Sequence, residues 1–219
     1  MYALEAHELY RFFHIGDDET AALRGVSLYV AAGEIVALMG PSGSGKSTLL
    51  SCLTGLDEPD GGHVEVAGLR LTRRSEAERT RIRAASFGIL PQSGNLFAHL
   101  SVEQNLRLQL LLARKPNQGI GALLESVDLA HRAQAFPGEL SGGEAARAGL
   151  AVALAADPPI LVADEPTAEV DAATEQLIID RLIESSRSGT AVLIVTHSPA
   201  LAARADRVID IEDGGIVHA

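Results

Sequence analysis

The chain has 219 residues, of which 47% are apolar and 21% charged, proportions that belong to a folded globular protein and exclude a disordered one. At about 150 residues per domain, the length suits one domain with room for an inserted lobe; aromatics are only 4% and Trp is absent, which points to the aliphatic core of a helix-covered parallel sheet. Eighteen Lys and Arg stand against 29 Asp and Glu, a formal charge of −11, and this balance opposes the phosphate attraction on which nucleic-acid binding rests, so no nucleic acid is expected as partner.

Along the chain, Val26–Val30 and Glu34–Met39 read as strands either side of a tight turn at Ala31-Ala32-Gly33. The second runs into Gly40-Pro41-Ser42-Gly43-Ser44-Gly45-Lys46-Ser47-Thr48, after which Leu49, Leu50, Leu53 and Leu56 recur at helical spacing. His63–Val66 and Leu69–Leu71 form a hairpin pattern around Ala67-Gly68. A helix is expected over Glu76–Ala85 and a short strand at Phe87–Leu90. From Gln92 to Ala156 no strand pattern is visible; Ser101–Leu112, Ile120–Leu129 and Gly142–Ala155 read as helices. Strands return at Ile160–Ala163, Ala191–Thr196 and Arg207–Ile211, with a helix at Thr174–Ser186, and a turn at Asp213-Gly214-Gly215 closes the chain. The sum is a strand-and-helix core interrupted by a helical insertion.

No apolar run approaches the ~20 residues that span a bilayer. The first ten residues carry Glu5 and Glu8 and lack the basic-then-apolar layout of a signal peptide. The single Cys52 allows no internal disulfide and no Cys-based metal cage, and the seven His include no pair at ligand spacing. These features predict a soluble, cytoplasmic polypeptide; if it works at a membrane, another subunit must take it there. Six of the 18 basic residues fall between Arg70 and Arg83; a solvated helix face is the expectation, with contact to a membrane partner or acidic lipid as the alternative.

Three segments carry chemistry. Gly40–Ser47 fits G-x-x-x-x-G-K-S/T, in which glycines let backbone N–H groups converge on a phosphate, Lys46 adds a point charge and the Ser47 hydroxyl can ligate Mg²⁺. The strand before and the helix after supply the context the motif needs, and the helix aims its positive end at the same anion. Ile160-Leu161-Val162-Ala163-Asp164-Glu165 is an apolar strand ending in two carboxylates: Asp164 can hold Mg²⁺ opposite Ser47, and Glu165 can polarise a water for attack on a γ phosphate. Leu140-Ser141-Gly142-Gly143-Glu144 opens a helix and reads either as a second phosphate nest or as an ordinary Ser141 cap. A second nest makes sense if it serves another copy of the protein.

In this order and spacing the segments resemble the nucleotide-binding subunit of ATP-binding cassette (ABC) transporters over essentially the whole chain. Walker A is Gly40–Thr48, the signature Leu140–Glu144 and Walker B Ile160–Asp164 followed by Glu165; Gln92, Asp171 and His197 stand at the Q-loop, D-loop and switch positions. Gly16–Leu28 and Gly55-Leu56-Asp57-Glu58-Pro59-Asp60-Gly61-Gly62 resemble the macrolide-export and lipoprotein-release branch, which drives a membrane partner by transmitting motion.

The resemblance implies one α/β domain over residues 1–219. Its RecA-like P-loop NTPase core (1–92 and 157–219) carries an antiparallel β region near the N-terminus and an inserted helical subdomain at 93–156. It implies ATP and Mg²⁺ as ligands, an integral membrane permease and a second ATPase subunit as partners, and work at the cytoplasmic face of the membrane, leaning to export or extraction. Two subunits would pack head to tail, each ATP lying between one Walker A and the other's Ser141, Gly142, Gly143 and Glu144. Phe13 would stack on adenine, with Phe12 as fallback; Gln92 would sense Mg²⁺ and the attacking water, and His197 would contact the γ phosphate. The alternative is a regulatory ATPase of the cell-division type that signals through a permease-like partner without transport. Relatives in DNA repair or translation need a long coiled coil or tandem cassettes, and neither is present here.

Departures from the family pattern are Ala145 and Ala146 after the signature, Val152, Ala168-Glu169-Val170 before Asp171, and Ser198 after His197, where Asp is frequent. None removes a catalytic group. Several fall near the expected subunit interface and leave a heterodimer open beside the favoured homodimer.

Overall fold

The computed structural model describes residues 2–15, 18–92 and 96–218; Gly16, at the head of the branch-specific segment, lies outside them. In chain order the elements are β1 (Tyr2–Ile15), β2 (Asp18–Ala31), β3 (Ile35–Met39), α1 (Lys46–Leu53), β4 (Gly61–Val66), β5 (Leu69–Arg70), α2 (Glu76–Ser86) and β6 (Phe87–Leu90). Then come α3 (Val102–Leu112), α4 (Ile120–Ser126), α5 (Gly142–Leu154), β7 (Ile160–Asp164), α6 (Ala172–Arg187), β8 (Ala191–Val195), α7 (Pro199–Ala202), β9 (Arg207–Glu212) and β10 (Gly215–His218).

Two sheets result. One is antiparallel with order β2-β1-β4-β5, the other six-stranded with order β10-β9-β3-β8-β7-β6, in which all pairings from β9 to β6 are parallel. The turn after Ala31 forms as expected, with the Glu34 N–H donating to the Ala31 carbonyl at 3.1 Å. The strands it joins do not pair with each other, because β3 is claimed on both edges by β8 and β9. Central strands are buried on both faces, the condition for an all-apolar run. Val36, Leu38, Val162, Leu193 and Val195 face a cluster shared with α1 and with Leu4, Ala6, Val64 and Val66 of the antiparallel sheet. Ile35, Leu161, Ala163, Val192 and Ile194 face Leu150 and Ala153 of α5 and Ile178, Ile179 and Leu182 of α6. A third cluster joins Val102 and Leu106, Leu124, Leu129, and Ala148 and Ala151. Helix α5 therefore presents one side to the sheet and the other to α3 and α4.

Five of the described helices begin on side-chain caps, α7 on Ser198, whose hydroxyl accepts the Leu201 N–H. Ser75 with Glu78, Ser101 with Gln104 and Ser141 with Glu144 form reciprocal capping boxes, and Asp171 caps α6 through the N–H groups of Ala173 and Thr174. Much of the arginine cluster at and before α2 is ion-paired: Arg74 lies 3.5 Å from Glu78, and Arg79 2.7 Å and Arg83 3.1 Å from Glu76. Cys52 is buried, which pushes its thiol up to about 12, consistent with a packing role. Among the described residues no helix is long and apolar enough to cross a membrane.

Candidate active site

In the parallel sheet the P-loop leaves the C-terminal end of β3, Asp164 and Glu165 that of β7, and the Thr196–Ser198 loop that of β8, which lies between the other two strands. Ligands of such sheets gather at these carboxyl ends. A cleft of about 840 Å³ opens there, lined by Ser42, Gly43, Gly45, Lys46, Ser47, Thr48, Gln92, Asp164, Glu165, His197 and Phe13. Residues 150 positions apart in the chain are thus brought to one wall.

The loop geometry explains its glycines. Gly45 is the N-cap of α1 at φ +100° and offers no side-chain acceptor, so the first N–H groups of this helix remain for an anion. A Cβ on Gly45 would lie 2.4 Å from the Ala22 carbonyl, and one on Gly40 2.1 Å from the Ile211 carbonyl. Gly40, Pro41 and the buried Ser44 form the underside of the loop and do not line the cleft. Lys46 Nζ donates to the carbonyls of Gly40 (2.8 Å) and Pro41 (2.7 Å). Burial lowers its pKa against the opposing pull of Glu165 and Asp164. Asp164 moves the other way, raised by burial and then by the charge of Glu165, with Lys46 opposing.

Glu165 sits at φ +48°, a conformation costly for a residue with a Cβ and commonest at functional sites. Its N–H donates to the Val195 carbonyl at 2.9 Å, which ties β7 to β8 just past the sheet. Its Oε2 accepts the His197 N–H at 3.2 Å. Its Oε1 is buried without a hydrogen bond, 3.4 Å from His197 Nε2. A carboxylate oxygen held this way is suited to take a proton from water. Phe13 is 39% exposed, with the Arg11 guanidinium 4.8 Å from its ring centroid. Arg11 is in turn held by Asp57 (2.8 Å) and Asp60 (3.1 Å), the acids of the Gly55–Gly62 segment. Phe12 pairs with Ala21 within the sheet and does not reach the cleft.

Gln92 lines the 840 Å³ cleft and also a groove of about 330 Å³ shared with Leu96, Ala145, Ala146 and Val170, so it borders both. Ser141, Gly142, Gly143 and Glu144 are not in the cleft. The Glu144 carboxylate accepts the Ser141 N–H (2.8 Å) and meets Arg132 (3.0 Å), while the Ser141 hydroxyl oxygen accepts the Glu144 N–H (3.2 Å). Sequence reasoning missed Thr20, Ala22 and Arg24, Glu175, and Asp213 with Gly214, all of which line the cleft. Gly214 N–H donates to the Ser44 carbonyl at 3.0 Å and its carbonyl accepts the Arg24 N–H at 2.7 Å. The Asp213-Gly214 turn is thus a brace under the P-loop, a role with no local signal.

The profile of the ABC transporter family matches residues 23–168. The chain belongs to the ABC transporter family. It is an ATP-hydrolysing cassette of that family with a P-loop NTPase α/β fold, and the relatives bear out the expected branch. The lipoprotein-releasing system ATP-binding protein LolD of Paramagnetospirillum magneticum is 42% identical over 99% of the cassette and 98% of its own length. The macrolide export ATP-binding/permease protein MacB of Hyphomonas neptunium is 36% identical over 98% of the cassette, which spans 34% of MacB. Among solved structures, a dimeric ATP-binding cassette in a post-hydrolysis state bound to ADP and Pi superposes with a TM-score of 0.92 at 32% identity, covering 98% of this chain and 97% of that one.

Proposed function

We propose that this cassette pairs head to tail with a second copy and powers a separate integral membrane permease at the cytoplasmic face, for export or for extraction of a lipid-linked cargo such as a lipoprotein. The named systems of the LolD and MacB relatives support release and export over a regulatory role. The observation that carries the chemistry is the convergence of Lys46, Ser47, Gln92, Asp164, Glu165 and His197 on one cleft while Ser141–Glu144 lie outside it. Residues 93–156 are read as the helical subdomain, and 1–92 with 157–219 as the core.

In this reading the Ser42–Thr48 backbone cradles the phosphates and Lys46 offsets the β and γ charges. Phe13 stacks on the adenine from the Arg11-backed side of the cleft. Glu165 takes a proton from water as its oxygen bonds to the γ phosphorus and the bond to the bridging oxygen of ADP breaks. His197, fixed to Glu165 through its own N–H, meets the γ phosphate from the β8 side. Ser141, Gly142 and Gly143 close on the partner's nucleotide, with Glu144 holding their loop. For the metal, no group of three His, Cys, Asp or Glu forms a cation cage among the described residues. A hydroxyl at Ser47, a half-buried carboxylate at Asp164 and an amide at Gln92 suit Mg²⁺, which keeps waters and shares substrate phosphates. Bound there, Mg²⁺ would neutralise charge developing on the phosphate oxygens.

The test is Glu165→Gln, isolated with ATP and Mg²⁺ from gently solubilised membranes. It should retain ATP, hydrolyse it on the order of 10²–10⁴-fold more slowly, and carry an integral membrane permease with it. Unchanged turnover would sink the base assignment; recovery of ribosomes or nucleic acid without a membrane protein would sink the transport reading.

A further inference from the structure

The signature end of α5 rests on the first turn of α6. Thr174 there is 2% exposed, and its hydroxyl accepts Arg147 Nη1 at 3.0 Å and donates to Asp171 Oδ2 at 2.9 Å. The other oxygen of Asp171 already caps α6, accepting the N–H groups of Ala173 (3.0 Å) and Thr174 (2.9 Å). The helix start is therefore satisfied without the Thr174 hydroxyl, and burying a hydroxyl beside a guanidinium costs free energy unless the bonds between them repay it. What those bonds hold is α5. A Cβ on Gly143 would lie 2.9 Å from Thr174 Oγ1 and 3.2 Å from Asp171 Oδ2, so the signature backbone sits directly on this pair. The next residue, Glu175, faces the other way into the cleft, where its Oε1 accepts the Ser198 hydroxyl at 3.4 Å beside His197.

We infer that Thr174 is a positioning residue that locks the signature loop to the first turn of α6, so that the phosphate-binding groups offered to a second copy and one wall of the chain's own cleft move as one body. This rests on the head-to-tail pairing proposed above. Removing the hydroxyl frees α5 to shift against α6, and a displacement of about 1 Å in a catalytic array costs up to ~100-fold in rate, while each copy's own P-loop keeps its grip on the nucleotide.

The experiment compares the full chain with Thr174→Val, Thr174→Ser and Gly142→Asp in steady-state ATP hydrolysis and in binding of a fluorescent ATP analogue. A Cβ on Gly142 meets nothing within 4 Å, so the aspartate fits the fold yet repels a phosphate; it serves as the control for the pairing itself. Thr174→Val should lower kcat about tenfold or more with analogue affinity unchanged, and Thr174→Ser should restore most of it. A loss of kcat and affinity together, without rescue by serine, would indicate a merely structural role and overturn the inference. So would wild-type kcat in Thr174→Val while Gly142→Asp is inactive. Full turnover in Gly142→Asp would overturn the pairing and the inference with it. If Thr174→Val does not fold, Arg147→Gln breaks the same lock from the other side and is held to the same outcomes.

Discussion

Asp164 and Lys46 carry opposite charges in the same cleft, and burial acts against both. The carboxyl is raised above its ordinary range, first by burial and then by Glu165. In the window between the ordinary aspartate range and that raised value, the folded chain still holds a proton that the unfolded chain has released. Stability must therefore fall as pH rises through the window, and the loss persists at neutral pH. Asp164→Asn removes the charge without changing the shape. Without nucleotide it should melt higher than the wild type near neutral pH, with the difference shrinking in acid where both states of the wild type are protonated; it should also lose ATP hydrolysis. Calorimetry at the two pH values checks this, and a lower melting temperature at neutral pH would mean that Lys46 outweighs burial.

Helix α5 packs between the parallel sheet and α3 and α4, and a glycine on the neighbouring strand makes the contact possible. A Cβ on Gly88 of β6 would lie 2.2 Å from the Ala153 carbonyl and 2.8 Å from Pro158 Cγ. Backbone cannot yield as a side-chain tip can, so Gly88→Ala should cost about 1–3 kcal/mol by overpacking. Urea unfolding should show a lower midpoint, with ATP affinity per folded molecule intact; an unchanged midpoint would mean that α5 shifts freely. The elements themselves were legible to different degrees. The short central strands stood out as apolar runs, and helices were expected at Ser101–Leu112, Gly142–Ala155 and Thr174–Ser186, where α3, α5 and α6 form; the Ser101 and Asp171 caps emerged only from the structure. β1 was missed: Glu8 at φ +47° and register shifts after Ala6 break the alternation that marks a strand. α4 stops at Ser126, short of the expected Leu129, with Asp128 at φ +55°. The turn at Asp213-Gly214 does not close the chain but leads into β10, which pairs with β9.

At the scale of the molecule, the signature loop does not line the cleft of its own copy, and under the head-to-tail pairing proposed above a complete nucleotide site takes two copies. Glu165→Gln with ATP and Mg²⁺ should therefore double its mass in light scattering and return to monomer when Mg²⁺ is chelated. A persistent monomer would favour pairing with a different ATPase subunit and give weight to the departures at Ala145, Ala146 and Ser198. The dimeric cassette among the structural neighbours supports the self-paired outcome.

Motifs whose chemistry depends on neighbours in the chain were readable from residues alone. The P-loop needs consecutive N–H groups before a helix, Walker B needs two carboxylates at a strand end, and a cap needs its partner three residues on; each is a local geometry that local sequence specifies. That much, with the family resemblance that added Phe13, Gln92 and His197, pointed to an ATPase, its family and half of the cleft lining. What only the tertiary structure decided rests on segments far apart. The Asp213-Gly214 turn braces the P-loop, Asp57 and Asp60 hold Arg11 against Phe13, and Thr174 joins α5 to α6. His7 and His63, which sequence spacing kept apart, stack at 4.6 Å across β1 and β4. Strand order and helix docking set these contacts by burying aliphatic faces that carry no address in the chain, so the sequence shows that such faces must meet without showing which ones do.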